Sequence, residues 1–186
     1  MPRIGTGSVT LPSTSHLTGD TSDLNKQSKW IGSPAWERGQ QVERDFEKLL
    51  VQRDPDFKRA NRQQQFDHID FLTSFGTIDV KAKKRLSRAG SIHDEIIWCE
   101  LKNVQGKAGW LTGSPDIIAF ERDKCFVLVK RADLLELVDN LCDLSNMVQH
   151  SKQALYKGYT RKGRKDLLTV IKMTDLTLIN YRLWTK

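Results

Sequence analysis

The chain has 186 residues, of which 38% are hydrophobic and 28% are charged. This length suits one domain with a hydrophobic core, and the composition excludes a wholly disordered chain. Thirty lysines and arginines against 23 aspartates and glutamates give a net charge of +7. An excess of this kind attracts phosphate backbones, so nucleic acid is the leading partner that the composition indicates.

Cys99, Cys125 and Cys142 are widely spaced and odd in number, so neither a disulfide framework nor a zinc site is indicated. The apolar runs at 96–99 and 126–129 are too short to span a bilayer, and the chain does not start like a signal peptide. We therefore expect a protein that works in a reducing cytoplasm, that of the host cell for a phage or viral protein, and not at a membrane.

Two regions follow from the local pattern. Residues 1–33 are rich in Ser, Thr, Gly and Pro and lack periodicity, which predicts a flexible N-terminal arm. Residues 34–186 are expected to form the single domain.

The first predicted element of this domain is a helix. Ser33 can cap it and Pro34 can occupy its first turn, and the helix should run to about residue 53. Its predicted apolar stripe consists of Trp36, Val42, Phe46, Leu49 and Leu50.

A β-hairpin comes next, with strands predicted at 66–72 and 77–81 around a turn that contains Gly76. The remaining predicted elements are strands at 96–102, 116–120, 125–130 and 167–171 and a helix at 132–144. The expected fold class is α/β, with a central mixed sheet flanked by helices.

The chemistry concentrates in this hairpin. Its pairing brings Asp70 beside Asp79 and Lys81, and the i, i+2 spacing puts Asp79 and Lys81 on one face. Adjacent carboxylates are costly unless a cation neutralises them, and Mg²⁺ prefers such oxygen ligands. Bound Mg²⁺ can polarise a phosphate, while a lysine stabilises charge in the transition state. The hairpin therefore predicts Mg²⁺-dependent phosphodiester hydrolysis, with Mn²⁺ as a substitute.

The segment from Ile69 and Asp70 to Asp79-Val80-Lys81 resembles the D-x(n)-(D/E)-x-K motif of the PD-(D/E)xK nuclease superfamily. Ile69 stands where that motif has proline. The resemblance covers roughly residues 36–150, and the order of elements is similar to the restriction-endonuclease-like αβββαβ core. It implies a DNA endonuclease in which Asp70, Asp79 and Lys81 are catalytic.

The first helix adds to this resemblance. Gly39-Gln40-Gln41-Val42-Glu43, followed by Leu50, is similar to the superfamily's opening helix, whose glutamate points into the metal site. The resemblance implies Glu43 as the third metal ligand beside Asp70 and Asp79, with Glu47 as the second choice. The helix and the compact spacing look most like phage-type Holliday junction resolvases, which would imply branched DNA as substrate and a homodimer.

A second acid-x-lysine motif, Glu100-Leu101-Lys102, competes with the first. With Asp79 as its first acid it would need a loop of about twenty residues, so Asp70 with Asp79 and Lys81 is favoured. Glu100 could serve the same cluster as a further ligand or acid, or could lie on an exposed alternating face. His68 could be a metal ligand or general base, although a structural or solvent-facing role is the commoner one.

Basic residues around this site are candidates for contacts with the nucleic-acid backbone: Lys83, Lys84, Arg85, Arg88, Lys107, Arg161 and Arg164. Each group alone could equally be a solvated charged face. Trp110 could stack on a base or pack in the core. An RNA endonuclease and a non-catalytic binding module remain the alternatives to DNA cleavage, and the intact set of acids and lysine favours an enzyme.

Overall fold

The computed structural model describes residues 32–85 and 91–186. The predicted arm, apart from its last two residues, and Arg88 lie outside these ranges. The helices are α1 (Pro34–Arg53), α2 (Arg62–Phe66) and α3 (Arg131–Leu141). The strands are β1 (Lys58–Arg59), β2 (Phe71–Thr73), β3 (Gly76–Lys81), β4 (Ile96–Lys102), β5 (Ile117–Glu121), β6 (Cys125–Lys130), β7 (Asp143–Val148), β8 (Lys157–Tyr159), β9 (Leu167–Lys172) and β10 (Tyr181–Thr185). Short 3₁₀ turns lie at Ser151–Gln153 and Met173–Leu178.

Helix α1 begins where the sequence predicts. The Ser33 hydroxyl accepts a hydrogen bond from the backbone N–H of Trp36 at 3.3 Å, and Pro34 stands in the first turn, where its missing N–H is harmless. The Asp54 N–H closes the helix on the Leu50 carbonyl at 2.8 Å. Both predicted ends of this helix are confirmed.

The strands form two sheets. The larger has the order β1-β2-β3-β5-β6-β10 and is mixed, because β3 and β5 run parallel while the other neighbours are antiparallel. The smaller has the order β4-β9-β8-β7. The α/β class and the mixed sheet are confirmed. The single central sheet is corrected to two, because β4 pairs with the distant strand β9 instead of with the hairpin.

Side chains alternate between the two faces of the larger sheet, so each face contributes to a separate hydrophobic cluster. Ala119 packs with Phe46 in the cluster between the sheet and α1, whereas Ile118 and Phe120 join the cluster on the opposite face. That second cluster also contains α3 and apolar residues of β4 and β9. It includes Trp110, which is 2% exposed and meets Phe120 edge-on at 6.0 Å, so core packing accounts for this ring.

The predicted hairpin forms, with Phe71 opposite Ile78, but its first strand is shorter than expected. Asn61 and Gln64 hydrogen-bond each other's side chains and backbones in a capping box (2.9 and 3.0 Å), which starts α2 within the stretch that precedes the strand. The chain then turns through His68, whose φ is +61°. The predicted strand at 66–72 is therefore corrected to Phe71–Thr73, and the helix predicted at 132–144 ends at Leu141 because β7 begins at Asp143.

Candidate active site

Asp70 is held against β3 just before β2 begins. Its backbone N–H donates to the Ile78 carbonyl at 2.8 Å, and its carbonyl accepts from Ala60 at 2.9 Å. The side-chain Oδ2 accepts the Val80 N–H at 2.7 Å. Main-chain and side-chain bonds together fix this carboxyl beside the strand that carries Asp79 and Lys81.

Asp79 and Lys81 lie on one face of β3, as their spacing predicts. The Lys81 Nζ lies 2.5 Å from Oδ1 of Asp79 and 5.5 Å from the centroid of the Trp110 ring. Asp79 is 2% exposed, and its second oxygen, Oδ2, is buried without a hydrogen-bond partner among the described residues. A buried carboxylate oxygen in this state is unfavourable unless a proton or a cation satisfies it. A proton on Asp70 would satisfy it through a hydrogen bond between the two carboxyls, and a bound cation would take the place of that proton.

The electrostatics of these groups are mutually dependent. Burial, and then the charge of Asp79, raises the pKa of Asp70 to about 7. Burial also raises the pKa of Asp79, although Lys81 opposes this effect. Burial disfavours the ammonium form of Lys81, but Asp79 and Asp70 together raise its pKa. The two aspartates therefore stabilise the positive charge of Lys81 and would stabilise a further cation.

Glu43 on α1 faces the same group of acids. Its side chain is only 16% exposed, and burial followed by the charge of Asp70 raises its pKa to about 7. The Arg59 Nη1 lies 3.8 Å from its Oε2 and opposes that shift. Glu47, the second choice for this position, instead accepts two hydrogen bonds from Arg59 at 2.7 and 2.6 Å. Glu43 is thus the α1 acid that is electrostatically coupled to Asp70.

Glu100 approaches from the smaller sheet. The loop after β4 folds back on it closely, because a Cβ added at Gly109 would lie 2.2 Å from the Glu100 carbonyl oxygen. The Gly109 and Leu111 N–H groups donate to Leu101 and Glu100 at 2.9 and 3.1 Å. The Glu100 charge acts to raise the pKa of Lys81 across the two sheets. Glu100 therefore belongs to the same electrostatic group.

His68 also lies at this site, although the sequence pattern identified no partner for its side chain. Burial, and then the positive charge of Lys81, lowers its pKa, while Glu100 opposes that effect. Its ring lies beside the loop residue Gly113, whose added Cβ would be 3.3 Å from Cδ2. His68 ends α2 in the left-handed backbone conformation, with the Ile69 N–H donating to the Gln64 carbonyl at 3.0 Å. Glycine is the usual sequence signal for such a helix end, and histidine occupies it here.

The predicted nucleic-acid contacts have different surroundings. Lys84 is exposed, yet the protein atoms around its ammonium group disfavour the charged form, and with the charge of Lys81 they lower its pKa. Glu100 and Arg161 also act on that ammonium group, so Lys84 and Arg161 lie near the acids. Lys83 instead forms ion pairs with Asp123 and, at 3.9 Å, with Asp94.

The remaining basic residues are exposed: Arg85, Lys107, Arg161 and Arg164. Arg161 forms an ion pair with the buried Asp166. The loop that carries Lys107 contacts the basic stretch at 161–165, since the Lys165 N–H donates to the Val104 carbonyl at 3.3 Å. Two of the predicted basic segments are therefore neighbours.

The donor set suits a hard cation, because Glu43, Asp70 and Asp79 are carboxylates and the Asp79 Oδ2 is unsatisfied. Among residues 32–85 and 91–186, however, three or more His, Cys, Asp or Glu side chains do not come together in a preformed metal-holding group. Their charges act on one another in pairs, Glu43 with Asp70 and Asp70 with Asp79. A cation would have to draw the three together.

In the described ranges, the helices include none that is both long and apolar enough to cross a membrane. Comparisons of the chain with protein-family models, curated proteins and solved structures gave no match. The functional argument therefore depends on the geometry of the site itself.

Proposed function

We propose that this chain is a metal-dependent endonuclease of the PD-(D/E)xK type, with a restriction-endonuclease-like core, that hydrolyses phosphodiester bonds in DNA. The observation that carries the proposal is the buried Asp79–Lys81 pair with its unsatisfied carboxylate oxygen beside Asp70. Buried acids that resist ionisation, set next to a lysine and exposed cations, are typical of a catalytic site.

In this proposal Glu43, Asp70 and Asp79 hold Mg²⁺, for which Mn²⁺ can substitute. The bound ion supplies charge stabilisation to the phosphate and a lower pKa for its water. Lys81 is the catalytic amine: Asp79 orients its ammonium, which donates hydrogen bonds to the attacking water or to the phosphate oxygen where charge develops. Glu100 is a further acid facing Lys81 from the other sheet.

The substrate follows from the charges around these acids. The charge of Arg161 acts on the Lys84 ammonium group, and both side chains are exposed, which suits contact with the phosphates of a nucleic-acid backbone. Such contacts fix the register of a nucleic acid without reading its sequence. Branched DNA as the preferred form, and a homodimer that makes paired cuts, rest on the resemblance to junction resolvases.

The test is cleavage of labelled duplex, single-stranded and four-way-junction DNA, and of RNA, with Mg²⁺ or Mn²⁺. Asp79→Asn and Lys81→Met should each lower the rate by about 100-fold or more, because each removes a group that acts on the transition state. Glu136→Gln on the exposed face of α3 is the matched control and should cut at the wild-type rate.

The arms of this assay separate the alternatives. Activity that survives Asp79→Asn but is lost with Glu100→Gln would move the catalytic acid to β4. Cleavage of RNA alone would replace DNA as the substrate. Tight binding of DNA without cleavage of any substrate would refute the enzyme and favour a binding module.

A further inference from the structure

Two aromatic rings lie together on the face of the smaller sheet that carries Glu100. The Trp98 and Tyr159 ring centroids are 6.0 Å apart, with their planes inclined at 52°. Trp98 and Glu100 share a face of β4, and the register pairs Glu100 with Leu168 and Leu168 with Tyr159. The two rings therefore stand beside Glu100 rather than in either core.

Both rings are half-buried, so each is anchored while part of it stays open to solvent. The indole N–H of Trp98 donates to the Arg85 carbonyl at 3.1 Å, which fixes one edge of the ring. Tyr159 is held by strand pairing on both sides, to Val148 of β7 and to Leu168 of β9. A pre-ordered pair of rings can bind a flat ligand without further loss of side-chain freedom.

The charges near this pair complete the argument. Two positions along a strand are separated by about 7 Å, so Trp98 lies about that far from Glu100 in the direction of β4. Lys84 interacts with both Glu100 and Arg161, and Arg161 follows Tyr159 by two residues. Lys84 directly precedes Arg85, whose carbonyl accepts the Trp98 N–H, so each ring has an exposed basic residue close to it along the chain or through a hydrogen bond.

We propose that Trp98 and Tyr159 form a stacking platform for an unpaired base of single-stranded DNA, whose neighbouring phosphates contact Lys84 and Arg161. Bases in a duplex already stack on each other, so an aromatic platform selects a strand whose bases are free. The site would admit the unpaired strand at a junction, flap or gap. Its place in the reaction rests on the proposed function, since it holds the strand next to the acids that would cut it.

The experiment measures binding without cleavage. A fluorescein-labelled oligothymidylate and a blunt duplex of equal length are titrated in EDTA and followed by anisotropy. Tyr159→Leu should weaken binding of the single strand by about tenfold, which corresponds to about 1.4 kcal/mol, and change binding of the duplex by less than about twofold. Tyr159→Phe keeps the ring and should bind like wild type, as should Tyr181→Leu, which removes an exposed tyrosine of β10.

A second measurement does not depend on Tyr159. Oligothymidylate should quench part of the tryptophan fluorescence, and Trp98→Phe should remove that part. Wild-type affinity of Tyr159→Leu for the single strand, an equal loss for single strand and duplex, or quenching that persists in Trp98→Phe would each overturn the platform. Because EDTA excludes hydrolysis, ring-dependent binding together with no cleavage in Mg²⁺ would refute the proposed enzyme and leave the platform standing.

Discussion

Replacement of Asp70 by asparagine should stabilise the metal-free protein above neutral pH. The Asp70 carboxyl has a pKa of about 7 in the folded chain, against 3.8 for an ordinary aspartate. Between these values the folded state holds a proton that the unfolded state has lost, so the free energy of unfolding falls as pH rises. The asparagine carries no charge, and its amide oxygen can still accept the Val80 N–H.

The size of the effect follows from the same values. Each pH unit between the two pKa values corresponds to about 1.4 kcal/mol, which sets an upper limit of about 4 kcal/mol. Asp79 is hydrogen-bonded to protonated Asp70 and Glu43 is coupled to it by charge, so the protonation of the three carboxyls changes together. We expect Asp70→Asn to gain about 2 kcal/mol at about pH 8 and under half of that at about pH 5, where the unfolded carboxyl is already ionised and the folded one is still protonated.

Urea unfolding in EDTA, followed by tryptophan fluorescence at both pH values, measures this gain. Asp67→Asn changes an exposed neighbour in the same way and should stay within about 0.5 kcal/mol of wild type. A gain that is absent at about pH 8, or equal at both pH values, would refute the electrostatic reasoning.

Mg²⁺ should stabilise the wild-type protein more than the variant. At a Mg²⁺ concentration of 100 times the dissociation constant, the free energy of unfolding of wild type should rise by about 2.7 kcal/mol and that of Asp70→Asn by much less. Equal increases would exclude Asp70 from the metal site.

Three smaller changes test the supports of the site. Gly109→Ala should lower the free energy of unfolding by about 2 kcal/mol or more, because its Cβ would meet the Glu100 carbonyl oxygen at 2.2 Å. The matched change is Gly39→Ala within helix α1, where an added Cβ meets no side chain and no other part of the backbone within 4 Å, and it should raise the free energy of unfolding by about 0.5–1 kcal/mol. Urea unfolding measures both variants, and a similar loss in the two would contradict the close packing at Gly109. Arg59→Ala removes a charge that lowers the pKa of Glu43, so the pH midpoint of Mg²⁺ binding should move upward. Calorimetric titrations at several pH values measure this midpoint, and an unchanged midpoint would contradict the prediction.

The parts of the fold that were predicted from sequence depend on local signals. Ser33 and Pro34 determine the start of α1 through one hydrogen bond and one fixed φ, both of which are properties of adjacent residues. The hairpin that holds Asp79 and Lys81 likewise needs only two short apolar segments and a glycine turn. Such features are readable because no distant residue decides them.

The parts that were missed depend on distant partners. Strand β4 pairs with β9, so Trp98 lies opposite Val170, and nothing in the local pattern of either strand selects the other. Arg59 of β1 forms ion pairs with Glu43 and Glu47 of α1, which are distant from it in the sequence. His68 was assigned to a strand by alternation, whereas it follows the C-terminal end of α2 with a φ of +61°. Tertiary pairing therefore decides the positions of Trp98 and Arg59, while at His68 a local helix end was missed because no glycine marks it.

The two acid-x-lysine motifs need not compete for one site. They lie on different sheets, and the Glu100 charge acts on Lys81 of the first motif as well as on Lys84 beyond it. Lys102, the lysine of the second motif, is exposed, whereas the Lys81 ammonium is held by Asp79. A catalytic amine must be oriented and partly desolvated to act on developing charge, which favours Lys81. The second motif would then contribute its acid alone, and Glu100→Gln should matter where Lys102→Gln does not.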